Sequence, residues 1–165
     1  MTIYPTIVEV ESALLAHLGA DRVLADWGVE PRAIPGFEAK DFGRLFARYP
    51  AVGSYISGGK YEPDQLTVLE TAPLYLICAG ENLRGPAAAR RGDERNPGAA
   101  HLVERCRALA TAWRPGGNAA SLTATGWRQV WANNQISVCA LELAVCLTRP
   151  RARDKEALEH HGSIY

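Results

Sequence analysis

Two long alternating stretches constrain this chain more than anything else in it. From Leu66 to Ala79, a period of two puts Leu66, Val68, Glu70, Ala72, Leu74, Leu76 and Cys78 on one side. Thr67, Leu69, Thr71, Pro73, Tyr75, Ile77 and Ala79 fall on the other. Successive side chains of a strand point to opposite faces, so the run reads as β-strand. In the second stretch, QISVCALELAVCLT, Cys139, Leu141, Leu143, Val145 and Leu147 oppose Ile136, Val138, Ala140, Glu142, Ala144 and Cys146. Glu142 is its only charge. That predicts a central strand covered on both faces for much of its length. SLTATGWRQVW precedes it across ANN, so the two read as a hairpin whose asparagines tolerate left-handed backbone. Pro73 has no N–H to give to a ladder, so its strand is expected to lie at an edge there, or to bulge.

Helices must cover such a sheet. Ile7, Val10, Leu14, Leu15 and Leu18 make one apolar face of a helix, with Pro5 in its first turn and Gly19 at its end. A second apolar face runs through Ala99, Leu102, Val103, Cys106, Leu109, Ala110 and Trp113. Asn96 is its expected N-cap, Pro97 its first residue and RPGG its stop. Between these anchors RVLADWG reads as a short strand, VEPRAIPGFEA as a loop and residues 40–48 as a short helix with Phe42, Leu45 and Phe46 as its stripe. AVGSYISGGKYE reads as a further strand, turning near Gly58 and Gly59. The expected order is α-(β/α)-β-β-α-β-β. This is an α+β fold: a mostly antiparallel sheet with two main helices packed on it. The domain is expected over residues 1–148, with a polar C-terminal extension over 149–165.

Totals narrow the function classes. A chain of 165 residues is one domain with room for a core. Eighteen basic residues balance eighteen acidic ones, which argues against general affinity for nucleic acid or membrane surfaces. The N-terminal MTIYPTIVEVESALL lacks the charged n-region of a secretion signal, so a cytoplasmic chain is expected. The four cysteines form no CxxC pair and read as small buried hydrophobes kept reduced.

Motifs for chemistry are missing. There is no GxSxG, and Ser54, Ser57 and Ser121 have no histidine in a known order. SGGKYE lacks the spacing of a phosphate loop. His17 and His101 lie on predicted helices, and His160 and His161 in the polar extension, so a metal site would need tertiary contact to form. Glu70 and Glu142, each the lone acid of an apolar strand, are the candidates for acid–base work. The favoured reading is that each sits at a sheet edge or pairs with an arginine at an interface. No catalytic, cofactor-binding or metal-binding residue is assigned.

One segment stands apart. Arg84, Arg90, Arg91 and Arg95 cluster with Glu81, Asp93 and Glu94 between the strand and the second helix. Nucleic-acid contact favours a one-signed patch with aromatics. This segment is mixed in sign and has no aromatic. It reads either as a surface for ion pairs across subunits or as a solvated connector.

Several of these segments together carry a resemblance. YLICAGENLRG, the helix AAHLVERCRALATAWRP and the hairpin LTATGWRQVWANNQISVCALELAVCLT resemble the Mu-like phage tail-completion, or tail-terminator, family. YPTIVEVESALLAHL and FARYPAVGSYISGGKYE are similar to that family's opening helix and following strand. The resemblance covers most of residues 4–148. It implies a fold like that of minor tail U-type proteins: a small α+β domain forming a homo-oligomeric ring, usually a hexamer, that caps the tail tube. The implied partners are other copies of the chain, the tail tube protein, the tail sheath protein of contractile tails and the head–tail connector. The implied location is the virion tail or neck, assembled in the bacterial host cytoplasm. No enzyme activity or cofactor goes with the family. If the arginine segment faces the lumen, weak non-specific contact with DNA is the further implication. The extension from 149 departs from the family pattern. Two other readings stand beside this one: a head–tail connector, and a small enzyme centred on Glu70 or Glu142 with an arginine of the segment.

Overall fold

A computed structural model describes residues 6–36, 38–114 and 120–150. In chain order these form α1 (Ile7–Gly19), α2 (Arg22–Asp26), β1 (Arg32–Ala33), a 3-10 helix (Ala39–Arg44), β2 (Ala51–Ile56), β3 (Lys60–Pro63) and β4 (Thr67–Glu81). Then follow α3 (Pro86–Arg91), α4 (Ala99–Ala112), β5 (Ala120–Ala132) and β6 (Ile136–Pro150). The fold is α+β, as the alternation and the two helical faces require.

One mixed sheet organises the molecule. Its order is β1-β2-β4-β6-β5, with β3 also paired to β4. Only β1 and β2 run parallel. The long strands β4 and β6 pair along their whole length, placing Leu74 opposite Leu143, Leu76 opposite Leu141 and Cys78 opposite Cys139. Directly opposite residues share a face. That face therefore gathers the apolar set of both strands under α1 and α4. Val10, Leu14 and Leu18 of α1 and Leu102, Val103, Cys106 and Ala110 of α4 complete this core. Burial of each such leucine contributes about 1.5–3 kcal/mol.

The opposite face is covered at one end alone. There Phe42 and Phe46, from the 3-10 helix and just after it, pack with Ile34, Ile77, Ala79, Ile136, Val138 and Ala140. Trp131 of β5 stacks on Phe42 at 6.3 Å between ring centres. Towards the other end the same face presents Thr71, Pro73, Tyr75, Ala144 and Cys146, all partly exposed, and the exposed Glu142. The expectation of a strand covered on both faces thus describes the first half of β6.

Local chemistry explains the boundaries. Thr6 caps α1: its hydroxyl accepts from the Glu9 amide at 3.2 Å, and the Glu9 carboxylate accepts from the Thr6 amide at 2.6 Å. Asp21 caps α2 by accepting from the Leu24 amide at 3.0 Å. Residues 22–26 are therefore helical, where the sequence pattern suggested a strand. Asp21 also receives both guanidinium donors of Arg105, which pins α2 to α4. That hydrogen bond is the main cause holding its carboxyl below the usual range. The Ser54 hydroxyl donates to Glu11 at 2.5 Å and ties β2 to α1.

Four further expectations change. First, α4 starts two residues later than Asn96–Pro97 implied: its N-cap is Gly98, and Pro97 instead bridges to Gly92. Second, among the described residues no residue other than glycine has a positive φ, so the hairpin asparagines are not left-handed. Asn133 makes the turn through its side chain, accepting from the amides of Gln135 and Ile136 at 2.8 and 2.7 Å. Third, β6 runs on through Pro150, so Arg149 belongs to the sheet rather than to an extension; residues 151–165 lie outside the described ones.

The fourth concerns Pro73. β4 is an inner strand with β6 along one side, and its other side is shared by β2 and β3. Pairing on that side stops at Thr71 with β3 and resumes at Leu74 with β2. Three residues, Ser57 to Gly59, stand opposite Ala72 and Pro73, so β2 and β3 act as one strand with a bulge. The edge at Pro73 is this gap alone, and the missing donor falls where no partner waits.

Candidate functional site

The segment from Glu81 to Gly98 is built around Asn82. Its backbone amide donates to the Gln135 carbonyl at 2.7 Å, tying the end of β4 to the β5–β6 turn. Its side-chain oxygen accepts from the Arg84 amide at 2.9 Å, and its side-chain nitrogen donates to Asp93 at 2.8 Å. The other Asp93 oxygen accepts from the amides of Arg95 and Asn96, each at 2.9 Å. Hydrogen bonding from Asn82, then from those two amides, holds the Asp93 carboxyl down at about 2. Between the two anchors lies α3, with Pro86 at its start. The segment is therefore a built element and not the irregular connector its composition suggested.

Close backbone packing fixes it further. A Cβ on Gly98 would meet the Gly92 nitrogen at 2.1 Å and the Arg90 carbonyl at 2.4 Å. On Gly80 it would meet the Ala89 carbonyl at 2.6 Å and the Ala99 nitrogen at 2.7 Å. Gly92 has a φ of +78°, in the region that favours glycine. These three glycines let α3 and the start of α4 press onto the end of β4.

The charged side chains point away from this frame. Arg84, Arg91, Arg95, Glu81 and Glu94 are exposed, while Arg90 and Asp93 are partly buried. Arg90 reaches β5 and donates to Gln129 at 3.4 Å. Among the described residues, none of the four arginines closes an ion pair with Glu81, Asp93 or Glu94. Leu83 projects from the same turn with 83% of its surface exposed. Glu81 faces Tyr49, whose phenol is pushed up by burial first and by this carboxylate second.

The two strand carboxylates are not brought together. Glu70 is buried and accepts from Arg149 across β4 and β6. Glu142 stands exposed on the uncovered face. Neither lies in the arginine segment. His17 is held between the main helices: its ring stacks on Trp113 at 5.2 Å, and its Nε2 lies 3.3 Å from the Leu109 carbonyl. Cys78, Cys106 and Cys139 are buried together in the main core, and the Cys106 thiol and burial push the Cys78 thiol well up. Among the described residues no group of three His, Cys, Asp or Glu side chains is placed to hold a metal ion. No helix among them is long and apolar enough to cross a membrane.

A groove of about 610 Å³ lies between α2, the 93–97 turn and α4, bordered by Trp27, Asp93, Arg95, His101, Glu104 and Arg105. Most of its charges are engaged: Asp93 with Asn82, Arg105 with Asp21, and Glu104 with Arg107 at 2.9 Å. Sequence reasoning singled out the arginines and missed Asn82, the residue that positions them. Its signal was present, since Asn and Asp at the two ends of a short polar segment favour side-chain-capped turns.

No family model matches this chain, and no curated protein matches it.

Proposed function

We propose that this chain is a structural subunit of a phage tail or a tail-derived particle, assembling as a homo-oligomeric ring that caps the tail tube and joins it to the head-side connector. The sequence resemblance suggests the role. The observation that supports it is the sheet's two unlike edges among the described residues, β1 and β3 on one side and β5 on the other. A ring needs a heterologous contact, in which one surface of a subunit meets a different surface of the next. A rigid segment displaying exposed arginines at the end of the sheet adds a second contact surface, suited to the tube, the sheath or the lumen. Its charges stand outward on a fixed frame, so little ordering cost is charged to assembly.

The experiment is to add the purified chain to tail tubes and image them by electron microscopy. Rings at one tube end are expected. A chain that neither self-associates nor binds tubes would sink the proposal. Density on the portal side, away from tube and sheath, would favour the connector role instead.

A further inference from the structure

Two features of the helix-side surface lie at opposite edges of the sheet. At one edge, Trp127 of β5 pairs with Leu141 and so faces the helix side, yet it is 49% exposed. At the other edge, a groove of about 510 Å³ runs between α1 and the β2–β3 strand, bordered by Ile7, Val8, Ile56 and Tyr61. Val8 and Tyr61 are 61% and 63% exposed. A cavity of this size takes one small organic group. We infer that the subunit-to-subunit contact is Trp127 of one copy seated in the α1–β3 groove of the next.

Charge favours this occupant. The charged residues bordering the groove are both carboxylates: Glu70 is paired with Arg149, and Glu11 accepts from the neutral Ser54 hydroxyl. The Arg90 guanidinium reaches Gln129, on the same face as Trp127, whereas Arg128 pairs with Ala140 and faces the other side. A second copy therefore brings an aromatic anchor flanked by the Arg90 guanidinium to an apolar groove that carries the Glu11 carboxylate. The edges themselves oppose joining by backbone hydrogen bonds. β3 is four residues long and carries Lys60 and Pro63, and β5 has register shifts at Ala124/Gly126 and Gln129/Trp131. Contact through side chains meets no such obstacle. Tryptophan is also among the residue types enriched at the energetic centres of interfaces.

This inference rests on the ring proposal, and one experiment separates the two. Wild type, Trp127→Ala, Val8→Arg and Tyr61→Ala are compared by sedimentation and native mass spectrometry, with circular dichroism to check folding. Wild type is expected to form closed rings. Each variant should fold and lose self-association by roughly thirtyfold or more. An equimolar mixture of Trp127→Ala and Val8→Arg retains one intact knob and one intact groove, so it should give heterodimers that grow no further. Wild-type rings with variants that assemble normally would overturn this contact and leave the ring proposal standing. Variants that pair with themselves, or a mixture without heterodimers, would also overturn it. A wild-type chain that stays monomeric, with and without tail tubes, would overturn both.

Discussion

The two faces of the sheet are made by the same strands and have different fates. On the helix side Leu74, Leu76, Cys78, Cys139, Leu141 and Leu143 are wholly or almost wholly buried. On the other side the same strands present Ile77, Val138 and Ala140 to a small aromatic cap, then Pro73, Tyr75, Glu142 and Ala144 to the surface. The first face is where stability resides. The second is a covered patch joined to a bare one. Alternation assigns each residue to a face; what covers that face is decided elsewhere in the chain.

The largest test of this contrast is truncation on the helix side. Leu141→Ala or Leu102→Ala should cost about 2–5 kcal/mol in denaturant unfolding, because each leaves a cavity in a packed core. A loss under about 1 kcal/mol at both sites would mean the faces are misassigned. Next comes Gly98→Ala, which forces a Cβ against the backbone of residues 90–92. It should cost about 2–3 kcal/mol and broaden the amide signals of the 82–98 segment. Asp21→Ala removes the α2 cap and leaves Arg105 without its carboxylate, for about 2 kcal/mol. On the bare face Tyr75→Ala loses a stack on Tyr55 at 6.5 Å and should cost about 1 kcal/mol. An effect at Tyr75 as large as that at Leu141 would erase the contrast.

The smallest effect is local and depends on pH. Asp93 has its carboxyl lowered by the fold to about 2, so its contribution is present above the ordinary carboxylate value and fades as pH falls through about 2. Protection of the Arg95 and Asn96 amides from exchange, relative to the unstructured-chain rate at the same pH, should be high near neutrality and fall toward pH about 2. Asp93→Ala should remove that protection at every pH. Neutralising Arg84, Arg90, Arg91 and Arg95 together should leave the melting transition in place and weaken assembly. A large melting loss with normal assembly would make the segment a stabilising element and not a contact surface.

Much of the fold is legible in the residues. The alternation of 66–79 and 136–148, the apolar stripes of α1 and α4 and the hairpin around Asn133 all place their elements within a residue or two. Short elements were harder, because few residues carry little periodicity. Helix α2 is set by one capping side chain, Asp21, and α3 by a turn that begins at Asn82. At the candidate site the arginines were visible as composition. Their frame was not, since it depends on Asn82 meeting Asp93 across 11 positions and on three glycines touching in space.

By itself the sequence determined which residues share a face, because strand and helix periods are properties of the local backbone. It also determined that β5 and β6 would pair antiparallel, since a short turn joins them. Tertiary structure alone decided that Glu70 would be paired with Arg149 and Glu142 left exposed. It decided that Pro73 would fall opposite a bulge and that Trp127 and the α1–β3 groove would lie at opposite edges. Those outcomes depend on which segments become neighbours, and that follows from how the whole chain buries its apolar surface at once.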